Sequence, residues 1–98
     1  MKVDVKKDSE NLLVNPEGRI DTVTAPEFSK AINDSMEGVK NLIIDFEKVE
    51  YISSAGLRVL LSMQKTMSKM GSMKLTHVSD VIMDVFNITG FVDILTIE

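Results

Sequence analysis

Apolar residues recur along the chain with two periods, one typical of strands and one typical of amphipathic helices. Strand-like segments occur at 3–5, 11–15, 41–45, 73–76 and 94–97. Pro16 and Gly18 are expected to end the second strand before a short extended piece at 19–21. Residues 42–44 form an unbroken apolar run, which is typical of a strand buried on both faces.

Three other segments carry apolar residues at helical spacing. The first is predicted to begin at Thr24, because Thr24 and Glu27 have capping-box spacing and Pro26 fits the first helical turn. The second helix follows residues 53–54, and the third follows a predicted cap at Ser79. The predicted ends are three glycines: Gly38, Gly71 and Gly90.

These elements predict one α/β domain over residues 1–98, with the order ββαβαβαβ. Helices between strands require crossover connections, so the sheet should be mixed and mostly parallel, with helices on at least one face. Residues 47–50 are expected to form an acidic loop. The expected core-facing residues of the last two helices are Val59, Leu60, Met63, Met67 and Met70, and then Val81, Ile82, Val85 and Phe86.

Composition narrows the possible functions. A net charge of −4 and few aromatic residues argue against nucleic acid as a partner. The chain has no cysteine, which excludes disulfides and thiolate chemistry. No apolar run has the length of a membrane span, and the first residues lack the apolar region of a signal peptide. A cytoplasmic protein that is monomeric in isolation is expected.

Candidate chemistry is concentrated in two loops. Asp21 and Thr22 follow the second strand, and Ser53 and Ser54 precede the second helix. Loops at the carboxyl ends of strands are the usual binding sites of open α/β sheets, so both loops should lie at the same end of the sheet.

Ser54 has the features of a phosphorylation site. It lies at or near the first turn of a helix, where free amides and the helix dipole stabilise a phosphate. A phosphate there could also pair with Arg58, which is four residues further along the helix. The alternative is that Ser53 or Ser54 serves only as the helix N-cap, the most common role of serine at this position.

Three motifs resemble those of the STAS domain family, and more narrowly of bacterial anti-sigma factor antagonists. The first is Ile43-Ile44-Asp45 followed by Tyr51-Ile52-Ser53-Ser54-Ala55-Gly56-Leu57. The second is Gly18-Arg19-Ile20-Asp21-Thr22 with Ala25-Pro26, and the third is Phe86-Asn87-Ile88-Thr89-Gly90-Phe91. Together these motifs span nearly the whole chain in the family's order.

The resemblance implies a partner switch. In this family the unmodified antagonist binds an anti-sigma factor that is also a serine kinase, which frees a sigma factor. Phosphorylation of the serine two residues before the motif glycine, here Ser54 before Gly56, separates the complex, and a serine phosphatase restores the antagonist. Asp21 matches the family aspartate beside the phosphosite. Thr22, Ser53, Ala55 and Gly56 belong to the matching motifs and, together with Arg58 on the following turn, are expected to bind the partner or support the phosphosite.

Many family members carry Asp where this chain has Ser53, so Ser53 is a second candidate for the phosphorylated hydroxyl. An alternative function is a STAS scaffold that is not phosphorylated and belongs to a transport or signalling assembly. An enzyme is not expected, since neither a Gly-x-Ser-x-Gly elbow nor a nucleotide-binding phosphate loop occurs.

No cofactor or metal is expected either. Asp45, Glu47 and Glu50 are interpreted as a solvated loop and the single histidine, His77, as a surface residue. The methionines of the second helix are assigned to the core, with an exposed methionine patch for protein binding as the alternative.

Overall fold

Five strands and three helices follow one another in the order ββαββαβα. The computed structural model describes all residues from 1 to 98. The strands are β1 (Lys2–Asp8), β2 (Asn11–Ile20), β3 (Asn41–Asp45), β4 (Val49–Ile52) and β5 (Ser72–Thr76). The helices are α1 (Ala25–Asn33), α2 (Ser54–Met70) and α3 (Asp80–Thr89), followed by a short 3-10 helix (Phe91–Asp93).

The sheet is mixed and mostly parallel, as predicted. Its main path runs β1-β2-β3-β5, and β4 pairs with the far end of β2. Only the β1–β2 pair is antiparallel; β2–β3, β2–β4 and β3–β5 are parallel. Parallel pairs require crossover connections: α1 lies between β2 and β3, and α2 lies on the connection from β3 through β4 to β5. Helix α3 follows the last strand and precedes the chain end.

The second strand does not end at Pro16, contrary to expectation, but continues to Ile20. Pro16 faces Val3 of β1 and lies in the gap between two other partners, since β3 pairs as far as Val14 and β4 begins opposite Gly18. A missing ladder hydrogen bond costs little in such a gap. Gly18 has φ +91, a shift of register follows it, and its amide donates to the Lys48 carbonyl at 2.8 Å. The turn signal therefore marks a bulge within one strand.

Two predictions about the remaining strands were wrong. The segment 47–50 is not entirely loop, because β4 begins at Val49, and its only buried side chains, Val49 and Ile52, do not alternate as strand residues usually do. The expected last strand, 94–97, is reduced to one bridge between Ile97 and Leu75. Residues 91–93 form a 3-10 helix after Gly90, so the chain pairs with the sheet only at Ile97.

The helix ends follow glycine in two cases out of three. Gly71 and Gly90 end α2 and α3, and the Ser79 hydroxyl caps α3 by accepting from the Ile82 amide. Helix α1 ends at Asn33, five residues before Gly38, and is followed by turns. The predicted capping box is also absent: the Thr24 side chain makes no cap, and Glu27 pairs with the amino group of Met1 at 3.1 Å.

One face of the sheet carries the core. In β3 the side chains of Leu42 and Ile44 are buried while Ile43 is half-buried, so this strand is covered on one face only, contrary to expectation. The largest fully buried side chains include Phe28 of α1, Phe86 of α3 and Phe46 after β3. None of the three helices combines the length and apolar character that crossing a bilayer requires.

The residues predicted to face the core from α2 and α3 are buried or half-buried, except for one residue near an end of each helix. Met63 and Met67 of α2 are buried, but Met70 is exposed. Ile82 of α3 is buried, whereas Val81 is 66% exposed. A single exposed methionine does not make a methionine patch, so core packing is the main role of the α2 methionines.

Candidate functional site

The two loops singled out in the sequence lie side by side at the carboxyl end of parallel strands. Ile20 at the end of β2 pairs with Ile52 at the end of β4, and the Ser53 amide donates to the Ile20 carbonyl at 2.8 Å. The Asp21 loop and the Ser53–Ser54 loop therefore leave the sheet together. The expected common position of the two loops is confirmed.

Ser54 is the first residue of α2 and is exposed to solvent. The amides of the first helical turn have no acceptor within the helix, and together with the dipole they favour an anion at this point. The first turn of α2 contains no acidic side chain that would already occupy this position. A negatively charged group on Ser54 would therefore be stabilised by its own helix.

Ser53 differs from Ser54 in accessibility. It occupies the N-cap position with an extended backbone, φ −96 and ψ 178, yet its side chain makes no capping hydrogen bond. Its hydroxyl oxygen is buried and has no hydrogen-bond partner. The bare N-cap interpretation therefore lacks its defining hydrogen bond. Of the two neighbouring hydroxyls, only that of Ser54 lies on an exposed residue.

We expect Ser53→Ala to change the free energy of unfolding by less than about 1 kcal/mol, or to stabilise the fold. Removing an unsatisfied buried hydroxyl also removes its desolvation cost. A capping serine would behave differently, since its loss costs roughly 1 kcal/mol or more. Urea unfolding of the native protein, Ser53→Ala and Ser79→Ala provides the comparison, with Ser79 as the serine that does cap a helix. A loss in Ser53→Ala equal to that in Ser79→Ala would contradict this assignment.

Asp21 organises the first loop through its side chain. One carboxylate oxygen accepts from the amides of Val23 and Thr24, each at 3.0 Å, and lies 3.2 Å from the Thr24 hydroxyl oxygen. The Thr24 hydroxyl in turn donates to the Arg19 carbonyl at 2.7 Å. The pKa of Asp21 lies below its ordinary value of 3.8, mainly because the Thr24 amide donates to the carboxylate. Burial opposes this shift but has a smaller effect than the Thr24 amide. The Val23 amide, the Thr24 hydroxyl and the Arg19 charge each lower the pKa further. Asp21 is therefore a carboxylate at neutral pH, and its contribution to loop stability is lost only as the pH falls through that lowered pKa.

Two residues beside this loop were not predicted to take part. The Arg19 guanidinium lies over the Tyr51 ring, 4.3 Å from its centroid, and 3.8 Å from the Asp21 carboxylate. Arg19 and Tyr51 are paired across β2 and β4. Both residues lie in the matching motifs, but their contact depends on the pairing of β2 with β4, and β4 was not recognised. Thr22 and Val23 are both exposed on the same loop, Val23 by 79%.

Gly56 allows α2 to approach the ends of β2 and β4 closely. A Cβ atom at this position would lie 2.6 Å from Ile52 Cγ1 and 2.7 Å from Ile20 Cγ2, both on fully buried side chains. Ala55 beside it is half-buried and packs against the core. The absence of a side chain at Gly56 thus sets how near Ser54 comes to the Asp21 loop.

Replacing Gly56 by Ala should destabilise the fold by about 1–3 kcal/mol, the usual cost of an overpacked core. The buried isoleucines can move only partly, so the start of α2 must shift away from the sheet. Urea unfolding measures the loss, and amide chemical shifts of residues 53–58 report the shift of the helix start. A variant with native stability and unchanged shifts would mean that the close approach is not needed.

Arg58 is exposed on the next turn of α2 and takes part in no ion pair. Residues four apart on a helix lie on the same face, so its guanidinium is within reach of a group carried by Ser54. The structure thus brings together Asp21, Thr22, Ser53, Ser54, Ala55 and Gly56, with Arg58 one turn along.

A second group of ionisable side chains lies at the carboxyl ends of β3 and β5. His77, whose φ is +53, places Nδ1 3.1 Å from an Asp45 carboxylate oxygen. The same oxygen accepts from the Glu47 amide at 2.9 Å, so Asp45 also caps the turn that follows β3. Ligand-type atoms of Asp45, Glu47 and His77 lie within 4.8 Å of one another. His77 was interpreted as a surface residue because a single histidine cannot supply a metal site with several ligands, and its contact with Asp45, 32 residues away, was not predicted.

The model of the STAS domain family matches residues 2–98. The chain belongs to the STAS domain family. It is 35% identical over 99 residues to the anti-sigma-B factor antagonist of Bacillus subtilis (strain 168), covering 100% of this chain and 91% of that protein. This identity over the whole chain places it with the anti-sigma factor antagonists of the family, which are regulatory proteins.

Solved STAS structures confirm the fold. An anti-sigma factor antagonist from Mycobacterium paratuberculosis superposes with a TM-score of 0.87 at 24% identity, covering 98% of this chain and 83% of that one. The antagonist SpoIIAA in its unphosphorylated form gives a TM-score of 0.77 at 16% identity, covering 99% of this chain and 87% of that one. The Bacillus SpoIIAA in its phosphorylated form gives 0.76 at 17% identity, covering 99% and 91%. At these identities the likeness applies to the STAS fold.

Proposed function

We propose that this STAS protein is a phosphorylation-controlled anti-sigma factor antagonist whose switch residue is Ser54. The unphosphorylated form binds an anti-sigma factor that is also a serine kinase, and so frees a sigma factor in the cytoplasm. Phosphorylation of Ser54 by that kinase separates the two proteins, and a serine phosphatase restores the binding form. The protein acts by binding and carries out no reaction of its own.

The observation that carries this proposal is the exposed Ser54 at the first position of α2, beside the Asp21 loop. A kinase needs a hydroxyl that it can reach, and the Ser54 residue is exposed whereas the Ser53 hydroxyl is buried. The phosphorylated form of the structurally similar SpoIIAA adds support at the level of the fold.

A phosphate on Ser54 would change the charge of the surface far more than its shape. It adds about −1.5 to −2 charges at neutral pH. The free amides of α2 and the Arg58 guanidinium would hold it in place. The Asp21 carboxylate next to it is already ionised, so the phosphorylated surface carries two neighbouring anionic groups. A partner surface that packs against the neutral Ser54 hydroxyl would have to bury this added charge without a counter-charge, which is costly.

The proposal predicts that ATP dissociates the complex with the cognate kinase, and that Ser54→Ala abolishes this release without weakening the complex. The measurement is size-exclusion chromatography of the mixed proteins with ATP or a non-hydrolysable analogue. Ser53→Ala is the matched control and should still be released by ATP. A complex of the native protein that persists with ATP would instead favour a constitutive STAS scaffold.

A further inference from the structure

The net charge of the protein resides in its C-terminal fifth. Residues 1–77 contain 11 acidic and 11 basic side chains, so the whole charge of −4 belongs to residues 78–98. That segment has no lysine or arginine. Glu98 pairs with Lys74 at 2.8 Å, but the other three acids, which are all exposed, form no ion pair. They are Asp80, Asp84 and Asp93.

The same segment is also rich in exposed apolar side chains. Four of the seven large apolar residues that are exposed in the protein lie in it: Val81 (66%), Ile88 (85%), Val92 (36%) and Ile94 (45%). Val81, half-buried Val85 and Ile88 have i, i+4, i+7 spacing and so form one stripe along α3. Asp80 and Asp84 precede members of this stripe by one residue, which places the acids along one side of it.

We propose that this acidic-apolar patch, formed by Val81, Val85, Ile88 and Val92 with Asp80, Asp84 and Asp93, binds a basic amphipathic helix of a partner protein. The apolar side of such a helix would cover the α3 stripe, and its lysines or arginines would pair with the three free aspartates. Helices that bind in this way use apolar anchors at i, i+3, i+4 and i+7. The patch lies outside the Ser54 loop, so the proposal does not depend on the phosphorylation switch.

The charge of the patch excludes two other occupants. Two copies of this chain related by a two-fold axis would bring the same surface against itself, with unpaired aspartates facing aspartates. A membrane surface with anionic lipids would repel the same acids. A stripe of exposed apolar residues bordered by one sign of charge fits a partner of the opposite sign, because complementary charge favours association and selects against other partners.

The test uses two designed peptides of about 18 residues, long enough to form a helix on binding. One has leucine on one face and lysine on the other; the second has glutamate in place of every lysine. We expect the lysine peptide to shift the amide signals of residues 80–93 in a nuclear magnetic resonance titration, with affinity that falls as salt is added. The glutamate peptide should not bind.

Three variants separate the proposal from general charge attraction. Combining Val81→Ser with Ile88→Ser should weaken the lysine peptide at least about tenfold, and Asp80→Asn with Asp84→Asn should do the same. Met70→Ser, which removes an exposed apolar side chain elsewhere, should leave binding unchanged. Shifts outside residues 80–93, or equal affinity in the Val81/Ile88 variant, would overturn the proposal. Self-association of the native protein that this variant abolishes would also overturn it, in favour of a second copy.

Discussion

Ser54→Asp is expected to weaken binding to the cognate anti-sigma factor kinase by roughly 100-fold, or about 2.7 kcal/mol. The substitution places a permanent negative charge at the start of α2, beside the loop that holds the ionised Asp21. Burying an unpaired charge against a surface that fits a neutral hydroxyl costs several kcal/mol, so most of the affinity of the complex should be lost. Isothermal titration calorimetry with the purified kinase, in the absence of ATP, measures the change.

Two control variants isolate the effect of charge at this position. Ser54→Asn has the shape of the aspartate variant without its charge and should bind within about threefold of the native protein, a difference below 1 kcal/mol. Ser62→Asp adds the same charge at an exposed site two turns further along α2 and should also bind nearly normally. If Ser54→Asp bound as tightly as the native protein, or Ser54→Asn as weakly as Ser54→Asp, charge at Ser54 would not control the complex.

Gly71→Ala should be the most damaging single-atom addition to the fold, with an expected loss of about 3 kcal/mol or more in the free energy of unfolding. A Cβ atom at Gly71 would lie 1.8 Å from the Lys40 carbonyl oxygen. That oxygen accepts the Ser72 amide at 2.8 Å, next to the first residue pair between β3 and β5. Backbone must therefore move, and the edge of the sheet moves with it. Thermal unfolding should show a loss of roughly 12–24 °C.

Gly38→Ala is the matched control for this prediction. Gly38 has φ +75 and open space where a side chain would be. Alanine there should therefore lower the free energy of unfolding only through the strain of a left-handed backbone, by roughly 1–2 kcal/mol. Gly71 has φ 170, an extended value that any residue adopts, so its cost is steric. The two variants thus separate backbone strain from collision. Equal losses in the two would show that the edge of the sheet adapts to the added atom.

Local sequence patterns predicted those strands, helices and helix ends that depend on residues close together in the sequence. Strand β3 and the long helix α2 appeared where expected, because an apolar run and helical periodicity are visible in a short window, although β3 is buried on one face only. Gly90 ended α3 in a left-handed conformation, as a glycine after a helix commonly does. The start of α2 at Ser54 was predictable for the same reason, since the helix has a clear apolar stripe, whereas the strand before it was not recognised.

Features that depend on distant pairing were missed. Strand β4 has two buried residues out of four, and it forms only because the end of β2 is available to pair with it. Arg19 reaches Tyr51 through that same pairing. Thr24 was predicted to cap α1, but its hydroxyl instead joins Arg19 and Asp21. The strand and the contact of Arg19 with Tyr51 depend on residues far apart in the sequence, which a short sequence window does not show.

The same division applies to the candidate site. The common position of Asp21 and Ser54 followed from the expected parallel sheet, and the motif resemblance favoured Ser54 over Ser53. The difference in accessibility between the two serines came only with the structure. In the fold one hydroxyl is buried without a partner, and the other belongs to an exposed residue at the start of α2.

The most direct test of the switch is phosphopeptide mapping of the protein recovered from its native cells with phosphatase inhibitors present. We predict a phosphorylated fraction that carries its phosphate on Ser54, and whose share changes with growth conditions. Phosphate on Ser53 alone would contradict the accessibility argument. Absence of phosphate from Ser54 under every growth condition would contradict the switch itself.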